Sequence, residues 1–282
     1  MYLSVQEGHL SICEWLFAMG ASADVTKAAG DRSTPIYAAC ANGHLAVCRW
    51  LHANGAADNV RTAKNGGATP MFIACANGHL PVAKWLFSHG AAADVTTTDD
   101  FDITPMLWAC KEGHLSVCQW LFRVGAAGDI SKPNKYDVRI TLRLPPACQI
   151  AYPNQPTNQP TNQRTENYLL TRRSFRFASL SPLFPLPAFP PQETPMHMAC
   201  WYGHLSVCQW LHAAGAASDI SKADKRGATS MIVACLYDHL RVCKWLVEVG
   251  AIADITKADN FGFTPMHVAC WCKVMPVYIP NP

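Results

Sequence analysis

Charge is scarce in this sequence, and so is every signature of chemistry. Only 15% of the 282 residues are charged, and the formal net charge is +3. No apolar run is long enough to cross a bilayer, so a helical membrane span is not expected. No N-terminal stretch joins positive charge to a short apolar run, so no secretory signal is visible. Nothing resembles a phosphate loop, a nucleophile elbow or a repeated pair of carboxylates. The expectation is therefore a chain that is not an enzyme, with no cofactor and no small-molecule substrate.

What the sequence does have is period. Thr-Pro stands at Thr34, Thr69, Thr104, Thr194 and Thr264, with Thr229-Ser230 in the same register. A Gly-His-Leu marker keeps the step at Gly8, Gly43, Gly78, Gly113 and Gly203, with Asp238 in the glycine's place. A Trp-Leu pair does the same at Trp15, Trp50, Trp85, Trp120, Trp210 and Trp245. The step within each block is 35 residues, and periods of this length mean a solenoid.

Within one repeat the local chemistry reads clearly. Thr34 is a good N-cap and Pro35 a good first helical residue. Ile36 to Asn42 reads as a short helix ended by Gly43. Leu45, Val47, Cys48, Trp50 and Leu51 give a second helix with one apolar face, closed by Asn54-Gly55. Residues 56–68 read as an extended hairpin leading to the next Thr-Pro. Neither helix is long enough to stand alone, so each must pack on its copy in the next repeat. Helix starts are expected at Pro35, Pro70, Pro105, Pro195, Ser230 and Pro265.

TPMHMAC at 194–200, TPMHVAC at 264–270 and GHLSVCQWLHAAGA at 203–216 resemble the ankyrin repeat. The resemblance covers about four-fifths of the chain. It implies an all-α repeat solenoid of helix-turn-helix units with hairpin fingers. Two departures stand out. The period is 35 rather than the family's 33, which predicts a longer finger. The histidine of the family motif is kept only at His197 and His267; Tyr37, Phe72, Leu107 and Ile232 replace it.

Eleven of the 13 cysteines fall at two repeat positions, one ending the first helix and one inside the second. A small buried apolar residue suits both places, so they read as core thiols of a reducing, intracellular compartment, the cytoplasm. Cys40, His44 and Cys48 have a spacing that could suggest zinc. The helix break at Gly43 separates the cysteines, and packing is the favoured reading, with no metal. The tryptophan row reads as inter-repeat packing rather than a ligand ladder.

The array breaks once. Residues 138–192 hold ten of the 20 prolines, the tandem NQPTNQPTNQ, and six arginines against one acid. The remainder has 17 basic and 19 acidic residues, so the repeats carry no cationic surplus for nucleic acid. Deleting these 55 residues restores the register. The chain thus reads as repeats over 1–137, the first one truncated, a low-complexity insert over 138–192 without a fixed fold, and repeats over 193–282, the last one truncated. Val138-Arg139 can be encoded by a splice-donor sequence and Gln192 by an acceptor end. The insert reads as a translated intron, with a genuine linker as the alternative. Both chain ends read as cuts through a repeat, so a longer repeat protein is expected.

The family resemblance implies partner contacts at finger tips and on the exposed side of the first helix. Transferred by position, the finger candidates are Arg32, Ser33, Asn65, Phe101, Ile103, Arg226, Phe261 and Phe263. Those on the first helix are Asn42, Asn77, Lys111, Glu112, Trp201, Tyr202, Leu236 and Tyr237. The leading reading is a protein-interaction scaffold for an unknown protein, with no nucleic acid and no membrane as partner. The alternatives are the recognition part of a longer kinase or ligase regulator, a Cys/His metal or redox protein, and a pseudogene or faulty gene model. The gene's nucleotides test the intron reading: GT and AG are expected at the edges of 138–192, and incompatible codons there contradict it.

Overall fold

The computed structural model describes residues 1–134 and 192–274. Short helices come in pairs: α1 Tyr2–Gln6 and α2 Leu10–Ala18, α3 Pro35–Ala41 and α4 Leu45–Leu51, α5 Pro70–Ala76 and α6 Leu80–Leu86. They continue with α7 Pro105–Lys111 and α8 Leu115–Leu121, α9 Pro195–Trp201 and α10 Leu205–Leu211, α11 Ser230–Leu236 and α12 Leu240–Glu248. A last helix, α13, spans Pro265–Val274. Every start expected at Thr-Pro is in place. The Thr34, Thr69, Thr104 and Thr194 hydroxyls each accept the third helical N–H of their helix, as N-caps do. Among the described residues the only β-type pairing is the bridge between Ala223 and Thr229.

One contact recurs at every junction between repeats up to the one starting at Thr229. His44 Nε2 bonds the Gln6 carbonyl at 2.9 Å, His79 the Ala41 carbonyl at 3.1 Å, and His239 the Trp201 carbonyl at 2.9 Å. Each carbonyl lies near the end of the preceding repeat's first helix, where carbonyls lack helical partners. The imidazole lies flat on the glycine of the preceding Gly-His-Leu. A Cβ on Gly43 would fall 2.5 Å from His79 Nδ1, and one on Gly203 equally close to His239. Asp238 shows the rule from the other side. It holds the same left-handed turn, φ 59°. The next place in register for a histidine is Val274, inside α13, so no ring is due to press on it.

Behind this contact the second helices make an aromatic row. Phe17, His52, Phe87, Phe122 and His212 each meet the tryptophan of the next repeat edge-on, with centroids 5.6–5.9 Å apart. The tryptophan stripe is therefore inter-repeat packing, in a geometry that aromatic rings prefer. The main core lies between first and second helices and includes Leu51, Leu86, Leu121, Leu211 and Leu246. A second apolar cluster, with Tyr37, Phe72, Ile103, Leu107 and Met198, fills the angle between first helices and fingers.

The linker differs from its expected form. Gly55, at φ 112°, breaks the second helix, but Ala57–Arg61 then forms a 3-10 turn instead of extended chain. The finger tip is tight, closed by Lys64 N–H to Ala68 O and Gly67 N–H to Lys64 O. Neighbouring fingers are tied edge to edge: Asn65 N–H donates to Asp31 O, Asp100 N–H to Gly66 O, and Asn260 N–H to Arg226 O.

The same finger forms across the interruption. Asn134 N–H donates to Glu193 O, Gln192 N–H to Asn134 O, and Glu193 N–H to Asn134 Oδ1. In the finger before it, Asp99, Asp102 and Ile103 make the same three bonds. Gln192, at φ 77°, thus holds the tip position that Asp137 would take in a chain lacking 138–192. The repeat starting at Thr194 packs directly on the one starting at Thr104. His204 bonds the Lys111 carbonyl at 2.9 Å and its ring covers Gly113. Residues 135–191, which include all of the insert except Gln192, lie outside the described residues, as does the insert's expected lack of a fold.

The glycine contact gives a graded test. Gly55→Ala strains only a left-handed backbone, since nothing lies within 4 Å of a new Cβ, and should cost roughly 1–2 kcal/mol. Gly43→Ala adds a clash with His79 and should cost at least about 1 kcal/mol more, the worth of the displaced hydrogen bond. Urea denaturation of the two variants measures the difference; equal losses would remove the contact from the account.

Candidate functional site

The first helices end on a face where repeat-to-repeat differences concentrate. The fingers stand beside it, and the second apolar cluster supports both. The place after the motif histidine varies between repeats, reading Ala38, Ile73, Trp108, Met198, Val233 and Val268, and is buried in all but Ile73 and Trp108.

The expected contact residues divide into three groups. Arg32, Asn42, Asn65, Asn77, Phe101, Glu112 and Phe261 are exposed. Tyr202, Arg226, Leu236, Tyr237 and Phe263 are half-buried. Ser33, Ile103, Lys111 and Trp201 are buried, at 2–8% exposure, which corrects the expectation that they stand open on the face. The reasons are local. Ser33 turns inward because its hydroxyl meets Asp31 Oδ1 and Tyr2 OH of the preceding repeat. Ile103 enters the helix–finger cluster beside Phe72 and Leu107. The Lys111 ammonium lies 4.0 Å from the Trp108 ring centroid and 5.5 Å from that of Tyr202, with Glu112 Oε1 at 2.7 Å. A cation over indole is favourable even where water is scarce. Trp201 packs against Tyr237, with centroids 5.2 Å apart.

Four of these candidates converge. Trp201, Leu236 and Phe263 line a groove with Ile232, Val233 and Val268, and Arg226, Asp224 and Asp259 supply polar edges. Three consecutive repeats contribute. The groove is built from the base of two fingers and the ends of α9 and α11. Asp224 is committed to the finger, accepting the Arg226 and Ala228 N–H groups at 2.8 Å. Burial raises its carboxyl above the usual range. Asp259 accepts the Phe261 and Phe263 N–H groups in the same way. Val233 and Val268 were not among the expected contacts. The variability at their position is the sequence signal that marks them. The structure does not bring the candidates of the first three repeats into this groove; they follow the same face elsewhere along the stack.

The Cys-His-Cys spacing comes apart in space. His44 faces the Gln6 carbonyl, while Cys40 and Cys48 meet each other in the core at 3.6 Å. Among the described residues no three metal-ligating side chains converge.

One buried histidine stands apart from the groove lining. His197 is fully buried, with Nδ1 2.9 Å from Thr194 Oγ1. Burial, which disfavours the charged ring, lowers its pKa to about 4. Burial also lowers His114 and His204.

A family model for ankyrin repeats, three copies, matches residues 1–99 and 196–275. No curated protein matches the chain.

The His197 shift has a sign. Between pH 6.5 and about 4 the unfolded chain binds a proton that the folded site refuses. Its contribution to stability is therefore present above pH 6.5 and is lost as pH falls through that window. Histidine ring resonances check the cause. Those of His197 should hold constant from pH 7.5 down to 5, and a midpoint near 6.5 would contradict the burial.

Proposed function

Since the chain belongs to the ankyrin-repeat family, we propose that it is a non-catalytic scaffold binding a protein partner through finger tips and the concave first-helix face. Ankyrin repeats are protein–protein interaction modules, and proteins built from them are typically non-catalytic. The observation that carries the finer reading is the groove. It joins an apolar floor, with buried Trp201 and half-buried Leu236 and Phe263, to charged edges, at positions that vary between repeats. Aromatic and arginine side chains in such settings are common anchors of protein interfaces.

The partner chemistry follows from the lining. An apolar side chain would seat on Trp201, Leu236 and Phe263, while backbone or polar groups meet the finger edge at Arg226. Nucleic acid is a poor fit, because outside 138–192 acids outnumber bases by 19 to 17. Among the described residues no helix is long and apolar enough to cross a membrane. A core built on free thiols suits a reducing interior, and the proposed location is the cytoplasm.

Affinity capture tests the site. Leu236→Ala with Phe263→Ala truncates two half-buried apolar side chains that line the groove, and Arg49→Glu alters an exposed site on a second helix. A protein retained by the parent chain and by Arg49→Glu, and reduced at least about tenfold by the double variant, is the expected result; interface anchors cost about 1.4 kcal/mol or more. Equal retention by all three chains would place binding elsewhere.

A further inference from the structure

Eight of the described cysteines stand in four pairs, one pair per repeat. Cys40 and Cys48, Cys110 and Cys118, Cys200 and Cys208, and Cys235 and Cys243 each hold their sulfurs 3.6 Å apart. One member ends the first helix and the other lies in the second. A bond between them would therefore tie the two helices of a single repeat. Disulfide sulfurs sit about 2.05 Å apart, so each pair lacks a covalent bond by roughly 1.5 Å. Rotation about two side chains supplies most of that. The repeat at Thr69 is a natural contrast: Ala83 stands where a partner for Cys75 would be.

The four pairs differ in access. Three are buried in the core, while Cys235 and Cys243 are both half-buried. They also differ in readiness. Burial holds the Cys40 and Cys110 thiols well up and protonated. In the open pair the hydrogen bond with Cys243 lowers the Cys235 pKa below the ordinary thiol value. The thiolate is the reacting form of cysteine, and oxidation follows thiolate character and exposure.

We propose that Cys235 and Cys243 form a redox modification site, in which a peroxide converts the dithiol to a disulfide joining α11 to α12. Cys235 acts first. Its thiolate sulfur attacks one peroxide oxygen, the O–O bond breaks, and the other oxygen leaves as hydroxide and takes a proton to become water. Cys235 is then a sulfenic acid. The Cys243 sulfur attacks the Cys235 sulfur, the S–O bond breaks, and the hydroxyl leaves with the Cys243 proton as a second water. The two sulfurs together lose two electrons, and the peroxide gains both. A dithiol reductant reverses the bond by thiol–disulfide exchange. Cys235 directly precedes Leu236 and Tyr237, so the bond forms beside the groove.

The test uses the reduced full chain, hydrogen peroxide at neutral pH, timed quenching with an alkylating agent, and peptide mass spectrometry. The peptide linking Cys235 to Cys243 should form at least about tenfold faster than any link within the three buried pairs, as access and thiolate character dictate. Dithiothreitol should return both thiols. In Cys243→Ser, Cys235 should stop at a sulfenic acid that dimedone captures. The time course on the unaltered chain decides by itself, so a poorly folded variant leaves the answer intact. The proposal is overturned if Cys235 and Cys243 stay unlinked, if Cys235 runs on to sulfinic acid without a link, or if all four pairs oxidise at one rate.

Discussion

An imidazole lying on a glycine holds each repeat to the one before it, up to the repeat starting at Thr229. The ring Nε2–H donates to a carbonyl that its own helix leaves unpaired, and the ring fits only where no Cβ intervenes. One residue type at one turn thus meets two demands. The glycine must take the left-handed turn between helices, and it must leave room for the neighbour's ring. The aromatic row behind and the finger ladder in front keep the same spacing. Since the helices are only seven to ten residues in most repeats, this contact between copies is what makes them persist.

The register follows from that constraint, and it explains why the interruption does not divide the stack. Asn134 closes a finger with Gln192 and Glu193 as Asp99 does with Asp102 and Ile103. His204 then finds Gly113 as His79 finds Gly43. A long connection between finger ends costs loop entropy that grows only slowly with length, whereas the repeat faces recover a full interface. The chain can therefore leave and return at a finger tip without disturbing the packing on either side.

Helix starts, the inter-repeat role of the tryptophans and the solenoid class were legible because each is set by a residue repeated at fixed spacing. Thr34 caps and Pro35 starts a helix whatever surrounds them. Burial of the face was less legible. Lys111 and Trp201 look like surface residues one repeat at a time, and only their neighbours enclose them: Trp108 and Tyr202 around the ammonium, Tyr237 beside the indole. Ile103 likewise reads as a finger residue until Phe72 and Leu107 supply its apolar surroundings. The 3-10 turn at Ala57–Arg61 was missed because polar, glycine-flanked residues read as extended chain, while the local run after Gly55 favours a helical turn. The groove emerged only when three repeats were stacked, since no single repeat contains it.

The central claim is that the imidazole–glycine contact runs unbroken from Gly8 to His239, including the junction at Thr194. The most direct measurement is the nuclear Overhauser effect between the His204 ring and the Gly113 α protons, read beside the His79–Gly43 pair. The account predicts cross-peaks of similar strength for both pairs, although Gly113 and His204 are separated in sequence by the whole insert. A clear signal for His79–Gly43 with none for His204–Gly113 would contradict it, because the repeats before and after the interruption would then not touch.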